Sequence, residues 1–126
     1  LTMVGLDVTY RAIVSPAELE ELRGLGRAGG VVAAILDAFP PYRRYSWYPE
    51  GYPVHDAVAV AELVRPGILT TEHLNVEVDC ASDLSRGRTV VDRHRRSGRG
   101  PNAHVAVDVD TAAFVRLLID RLRTLG

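Results

Sequence analysis

The sequence predicts an α/β fold, and three observations carry that prediction. Residues 2–8, Thr2-Met3-Val4-Gly5-Leu6-Asp7-Val8, form a mostly apolar, β-capable run of the kind buried on both faces of a parallel sheet. Leu74-Asn75-Val76-Glu77-Val78-Asp79 alternates strictly, and Gly87 marks a turn into Thr89-Val90-Val91, which together read as a late β-hairpin. Ala103-His104-Val105-Ala106-Val107-Asp108-Val109 reads as a further strand, and it runs directly into a helix capped by Asp110. That helix places Phe114, Leu117, Leu118 and Leu122 on one face.

Between the first strand and the hairpin, punctuation residues define three more segments. Ser15-Pro16-Ala17-Glu18 has the form of a capping box with Pro at the first helical position, so a short helix follows, ending near Gly24 or Gly26. Gly29-Gly30 break the chain before an apolar stretch from Val31 to Phe39, read as a second helix stopped by Pro40-Pro41. Residues 42–52 hold four of the five tyrosines and the only tryptophan. Such crowding between Pro and Gly fits a flap facing a ligand, and equally a loop whose rings pack onto the core.

Composition bounds the functional classes. With 126 residues the chain suits one domain. At 47% hydrophobic and 25% charged residues it has the profile of a globular protein, and no stretch reaches the ~18 unbroken apolar residues of a membrane span. Fifteen basic residues, all Arg, against sixteen acidic ones leave a net charge of -1, which gives no global attraction to nucleic acid or anionic lipid. The basic run Arg93-His94-Arg95-Arg96-Ser97-Gly98-Arg99-Gly100 has no interleaved aromatics and reads as a solvated connection. Cys80 stands alone, which excludes an internal disulfide and fits a reducing, cytoplasmic setting. The histidines at 55, 73, 94 and 104 show no zinc spacing, and His104 reads as structural. Leu1 in place of Met gives the chain the look of one that starts mid-protein.

The most informative segment is Pro53-Val54-His55-Asp56-Ala57-Val58-Ala59-Val60-Ala61-Glu62-Leu63-Val64. Its helix is apolar nearly all round, which predicts burial, and its polar groups sit in the first turn. A buried carboxylate needs a partner, a hydrogen bond or a metal, and the positive end of a helix supplies only part of that. Asp56 as a simple cap beside an ordinary histidine is the plainer alternative.

This segment, with Arg65-Pro66 after it, resembles the C-terminal His-Asp motif of the inosine/uridine-preferring nucleoside hydrolases. Val4-Gly5-Leu6-Asp7-Val8-Thr9 is similar to the family's strand ending in Asp-Val-Thr. Val76-Glu77-Val78 with residues 86–92 resembles its late hairpin, and Pro101-Asn102, Val107-Asp108-Val109-Asp110 and Phe114 continue the match in order. The resemblance implies the C-terminal part of a Rossmann-like fold with a mixed, mainly parallel sheet and flanking helices. It implies calcium-dependent hydrolysis of the N-glycosidic bond of ribonucleosides. By the same resemblance Asp56 is a calcium ligand, His55 stands beside the leaving base, and Tyr42, Tyr45 and Tyr48 are the candidates for a tyrosine near the base. Tyr10 stands where the family often has His.

The family's N-terminal aspartate cluster, which supplies most calcium ligands and the general base, has no counterpart in these residues. One aspartate falls short of the about six to eight oxygens that calcium takes. The expectation is therefore a single domain, residues 1–126, that carries the leaving-group side of a hydrolase pocket and associates with a missing N-terminal half or with further copies of itself. The alternative is a truncated, non-catalytic remnant acting as a binding module.

Overall fold

The computed structural model describes residues 1–38 and 51–126. Tyr42, Tyr45 and Tyr48 lie outside the described residues. The elements in chain order are β1 (Thr2–Met3), α1 (Leu6–Thr9), β2 (Ile13–Val14), α2 (Pro16–Arg23), α3 (Gly26–Asp37), β3 (Tyr52–Pro53), α4 (His55–Val64), β4 (Leu69–Leu74), β5 (Val76–Val78), β6 (Thr89–Val91), β7 (Ala103–Val109) and α5 (Thr111–Arg123).

The fold is α/β with a mixed sheet. Its strand order is β1-β7-β4, in which β1 runs parallel and β4 antiparallel to β7. The two faces carry different partners. Leu74, Ala103 and Val105, with Met3, Val76, Val91 and Val107 against them, form a small cluster shared with the hairpin. Leu69, Ala106 and Val109 face the main core, which includes Val14, Leu22, Val58, Phe114 and Val115. Strict alternation would send Val105, Val107 and Val109 to one face. A register shift breaks it: Thr70 pairs with Asp108 but Thr71 with Ala106, so β7 carries one extra residue there. This β-bulge turns Val109 toward the helices while Val107 stays with the hairpin cluster.

The expected first strand is shorter than the apolar run. It stops at Met3, and Gly5 starts a helical turn in which the Val8 and Thr9 amides donate to the Gly5 carbonyl. The turn buries Val8 and Thr9 and leaves Leu6 and Asp7 outside, a division that a strand continuing at period two would not make. The capping box forms as expected, with Ser15 Oγ accepting from the Glu18 amide and the Glu18 carboxylate accepting from the Ser15 amide at 2.7 Å.

Gly29 and Gly30 do not break the chain; they lie inside α3, which begins five residues before the expected start. Gly29 is buried, and a Cβ there would stand 2.2 Å from the Leu22 carbonyl oxygen. The residue serves the close approach of α3 to the end of α2. β4 was not expected at all. The hairpin forms between β5 and β6, with Val76 opposite Val91 and Val78 opposite Thr89. The sheet strand β7 and the Asp110 cap of α5 fall where the sequence places them, and Asp110 Oδ1 accepts from the Ala113 amide at 2.9 Å.

Candidate functional site around His55 and Asp56

His55 and Asp56 open α4, and a small antiparallel pairing puts them in place. β2 and β3 pair with Ile13 opposite Pro53 and Val14 opposite Tyr52, and the Val54 amide donates to the Ala12 carbonyl at 3.1 Å. This zips residues 12–14 against 52–54 and brings the end of α1 to the start of α4. Gly51 makes the approach possible, since it is buried against Ile13 and the Val14 backbone.

At that junction Thr9 Oγ1 lies 2.8 Å from His55 Nδ1. Thr9 is only 4% exposed. Tyr10 meets the same imidazole edge-on, with ring centroids 4.8 Å apart and an interplanar angle of 86°. His55 is therefore held by two consecutive residues, Thr9 at the end of α1 and Tyr10 at its C-cap. Sequence reading missed both contacts. The available signal was Thr9 itself, a hydroxyl at the end of an apolar run, where a buried polar group requires a partner.

Asp56 lies in the first turn of α4 and is exposed, as is Asp7 in α1. The expected all-round burial of α4 is not seen among the described residues. Val58 and Ala61 are buried, while Val60, Leu63 and Val64 are 58%, 83% and 51% exposed. Helical spacing explains the split: positions 58 and 61 share the stripe facing the core, and the opposite face has no cover within the described part. An apolar groove of about 240 Å³, lined in part by Val60, Val64, Phe114 and Leu117, runs between α4 and α5.

Glu62 has a structural role that the sequence did not suggest. Its carboxylate accepts from the Gly67 amide at 3.1 Å and from the Leu69 amide at 2.8 Å. That fixes the turn from α4 into β4.

Other chemistry-bearing residues are occupied elsewhere. The Asp92 carboxyl, held to about 2 by the Ser97 hydroxyl and the Ser97 and Arg96 amides, organises the basic loop. Asp79 is likewise lowered, by the Ser82 amide, the Ser85 hydroxyl and the Ala81 amide. These two acids border a hollow of about 440 Å³ at the hairpin, but their oxygens are committed to loop geometry and His55 does not line it. Arg93 to Gly100 are all exposed, as a solvated connection requires. His104 stacks on its cross-strand neighbour His73, with centroids 4.6 Å apart, and takes no part near His55. Cys80 is free and exposed.

No three His, Cys, Asp or Glu side chains among the described residues cluster closely enough to hold a metal. Asp56 can offer one carboxylate and no more. No helix among the described residues is long and apolar enough to cross a membrane.

Known proteins resemble this chain in sequence and in fold. The model of the family described as inosine-uridine preferring nucleoside hydrolase matches residues 1–116. The pyrimidine-specific ribonucleoside hydrolase RihA of Klebsiella pneumoniae subsp. pneumoniae is 40% identical over 124 residues, covering 97% of this chain and 40% of that protein. RihA of Salmonella typhimurium is 40% identical over 125 residues, with 98% and 40% covered. Among solved structures, a purine-preferring ribonucleoside hydrolase from Gardnerella vaginalis superposes with a TM-score of 0.76 at 33% identity, covering 98% of this chain and 40% of that one. A plant nucleoside hydrolase at 23% identity, with a TM-score of 0.77 over 97% of this chain and 41% of its own, shares the fold. The chain thus spans about two fifths of the length of the relatives it matches. On the ordered sequence blocks, the fold and the family match together, the chain belongs to the inosine-uridine preferring nucleoside hydrolase family.

Proposed function

We propose that this chain is part of a ribonucleoside hydrolase and supplies the leaving-group side of its pocket. One observation carries the reading: the His-Asp pair opens α4, with His55 fixed by Thr9 and Tyr10, inside a chain that matches the hydrolase family over residues 1–116.

Breaking the N-glycosidic bond leaves its electron pair on a ring nitrogen of the departing base. A hydrogen-bond or proton donor at that base lowers the barrier, and general acid groups of this kind contribute about 10²–10⁴-fold. His55 is placed in that role, with Tyr42, Tyr45 and Tyr48 as the candidate tyrosines near the base. Asp56 is proposed as one ligand of a calcium ion, for which carboxylate oxygens are suitable donors. The described residues do not form a calcium site by themselves, and the remaining oxygens and the water-activating base are assigned here to the rest of such a domain. Calcium, when bound, would lower the pKa of an attacking water.

It follows that the chain alone neither binds calcium at micromolar levels nor hydrolyses nucleosides. The uncovered α4 face and the two-residue strand β1 at the sheet edge favour association with the rest of such a domain or with further copies. The exposed thiol of Cys80 suits a reducing, cytoplasmic setting.

A graft tests the proposal. This chain replaces the matching segment of the Klebsiella hydrolase, and ribose release from uridine and inosine is followed with and without calcium. Calcium-dependent turnover is expected. A well-folded graft that turns over neither nucleoside would overturn the reading in favour of a non-catalytic binding module.

A further inference from the structure

We infer that Thr9 is a positioning residue that fixes the tautomer of His55, donating its hydroxyl proton to Nδ1 and leaving the ring's proton on Nε2. The distance alone permits two arrangements, because either the hydroxyl or Nδ1 can hold the shared proton. Burial decides between them.

Thr9 is 4% exposed, and the only hydrogen bond of its Oγ1 among the described residues is the one to His55. If Nδ1 carried the proton, the hydroxyl would accept it and its own proton would point into the core unpaired. Leaving a buried donor unsatisfied costs about 1–3 kcal/mol. The helical acceptors open to a threonine hydroxyl are the carbonyls three and four residues back, those of Leu6 and Gly5. Neither is bonded to Thr9 Oγ1; Leu6 accepts from the Tyr10 amide at 3.0 Å and Gly5 from the Val8 and Thr9 amides, each at 3.1 Å. With the hydroxyl donating to Nδ1, both groups are satisfied at once.

The consequence is directional. An imidazole pinned at Nδ1 presents Nε2–H from its opposite edge as its one available donor. Tyr10, packed edge-on at 86°, restricts rotation of the same ring, so the end of α1 and its capping residue set both the orientation of the donor and which nitrogen it is. The catalytic meaning of this arrangement rests on the proposed role of His55 at the leaving base, whereas the arrangement itself does not.

The test is therefore spectroscopic and reads no turnover. The 126-residue chain, labelled with ¹⁵N-histidine, is examined at mildly alkaline pH, where imidazoles are neutral, with the His55 signals assigned from a His55→Gln spectrum. The expected result is a pyridine-type resonance for Nδ1, a pyrrole-type resonance for Nε2, and a Thr9 hydroxyl proton slow to exchange with water. Thr9→Ser should retain the pattern. Thr9→Val, of matching shape, should shift the Nδ1 line and lose the protected hydroxyl proton. A pyrrole-type Nδ1 in the unsubstituted chain would overturn the inference, as would ring-nitrogen lines unmoved by Thr9→Val. Should Thr9→Val fail to fold, the unsubstituted and Thr9→Ser spectra decide by themselves. A graft without activity combined with the expected spectrum would refute the role of His55 and leave the tautomer assignment standing.

Discussion

Gly51 lies so close to Val14 that a Cβ on Gly51 would stand 2.5 Å from the Val14 carbonyl oxygen and 2.4 Å from Ile13 Cγ2. One of the two obstacles is backbone, which cannot rotate away. This contact closes β3 onto β2, and that pairing carries His55 to Thr9. Gly51→Ala should therefore destabilise the chain by about 1–3 kcal/mol, the usual cost of overpacking, read as a lower urea midpoint. It should also disturb the His55 signals. A midpoint and His55 spectrum equal to those of the unsubstituted chain would show that the approach is looser than described.

Glu62 ties the end of α4 to the start of β4 through two backbone amides. Glu62→Ala leaves both donors to find other partners, and a cost of about 1–3 kcal/mol is expected for the part-buried Leu69 amide. Urea unfolding checks the stability, and faster hydrogen exchange at Gly67 and Leu69 should accompany the loss.

The loop after β6 should respond to acid through Asp92. Its carboxyl is lowered from 3.8 to about 2 by the Ser97 hydroxyl and the Ser97 and Arg96 amides. A depressed carboxylate contributes stability that is complete above its unfolded value and is lost as pH falls through its folded value. Loop order should thus persist at pH 4 and fade toward the value of about 2. The amide shifts of Arg96 and Ser97 should titrate together at that value, and Asp92→Asn should abolish the titration. A midpoint at the ordinary carboxylate value would contradict the hydrogen-bonded loop.

Much of the architecture is legible in the sequence because it rests on local chemistry. The Ser15 box, the Asp110 cap and the Phe114 stripe depend on residues within a few positions of each other, and each forms as expected. The errors arise where distant packing overrides local pattern. Residues 6–9 carry strand-like side chains, yet they coil because a helical turn buries Val8 and Thr9 together. Gly29 looks like a breaker and serves as a contact. β4 escaped notice because both its ends are buried and its four middle residues exposed, so period two is absent.

The site divides in the same way. The His-Asp pair is visible as a motif, whereas the threonine that orients the histidine is 46 residues away and no spacing rule reaches it. The exposure of Asp56 and of one side of α4 likewise belongs to tertiary structure. A pattern apolar all round cannot say which neighbours the chain itself provides.

Steady-state kinetics of the active graft with and without His55→Ala measure what His55 does for the departing base. A fall in kcat of about 10²–10⁴-fold is expected, with calcium affinity retained because Asp56 is untouched. An unchanged kcat in a folded His55→Ala graft would contradict it.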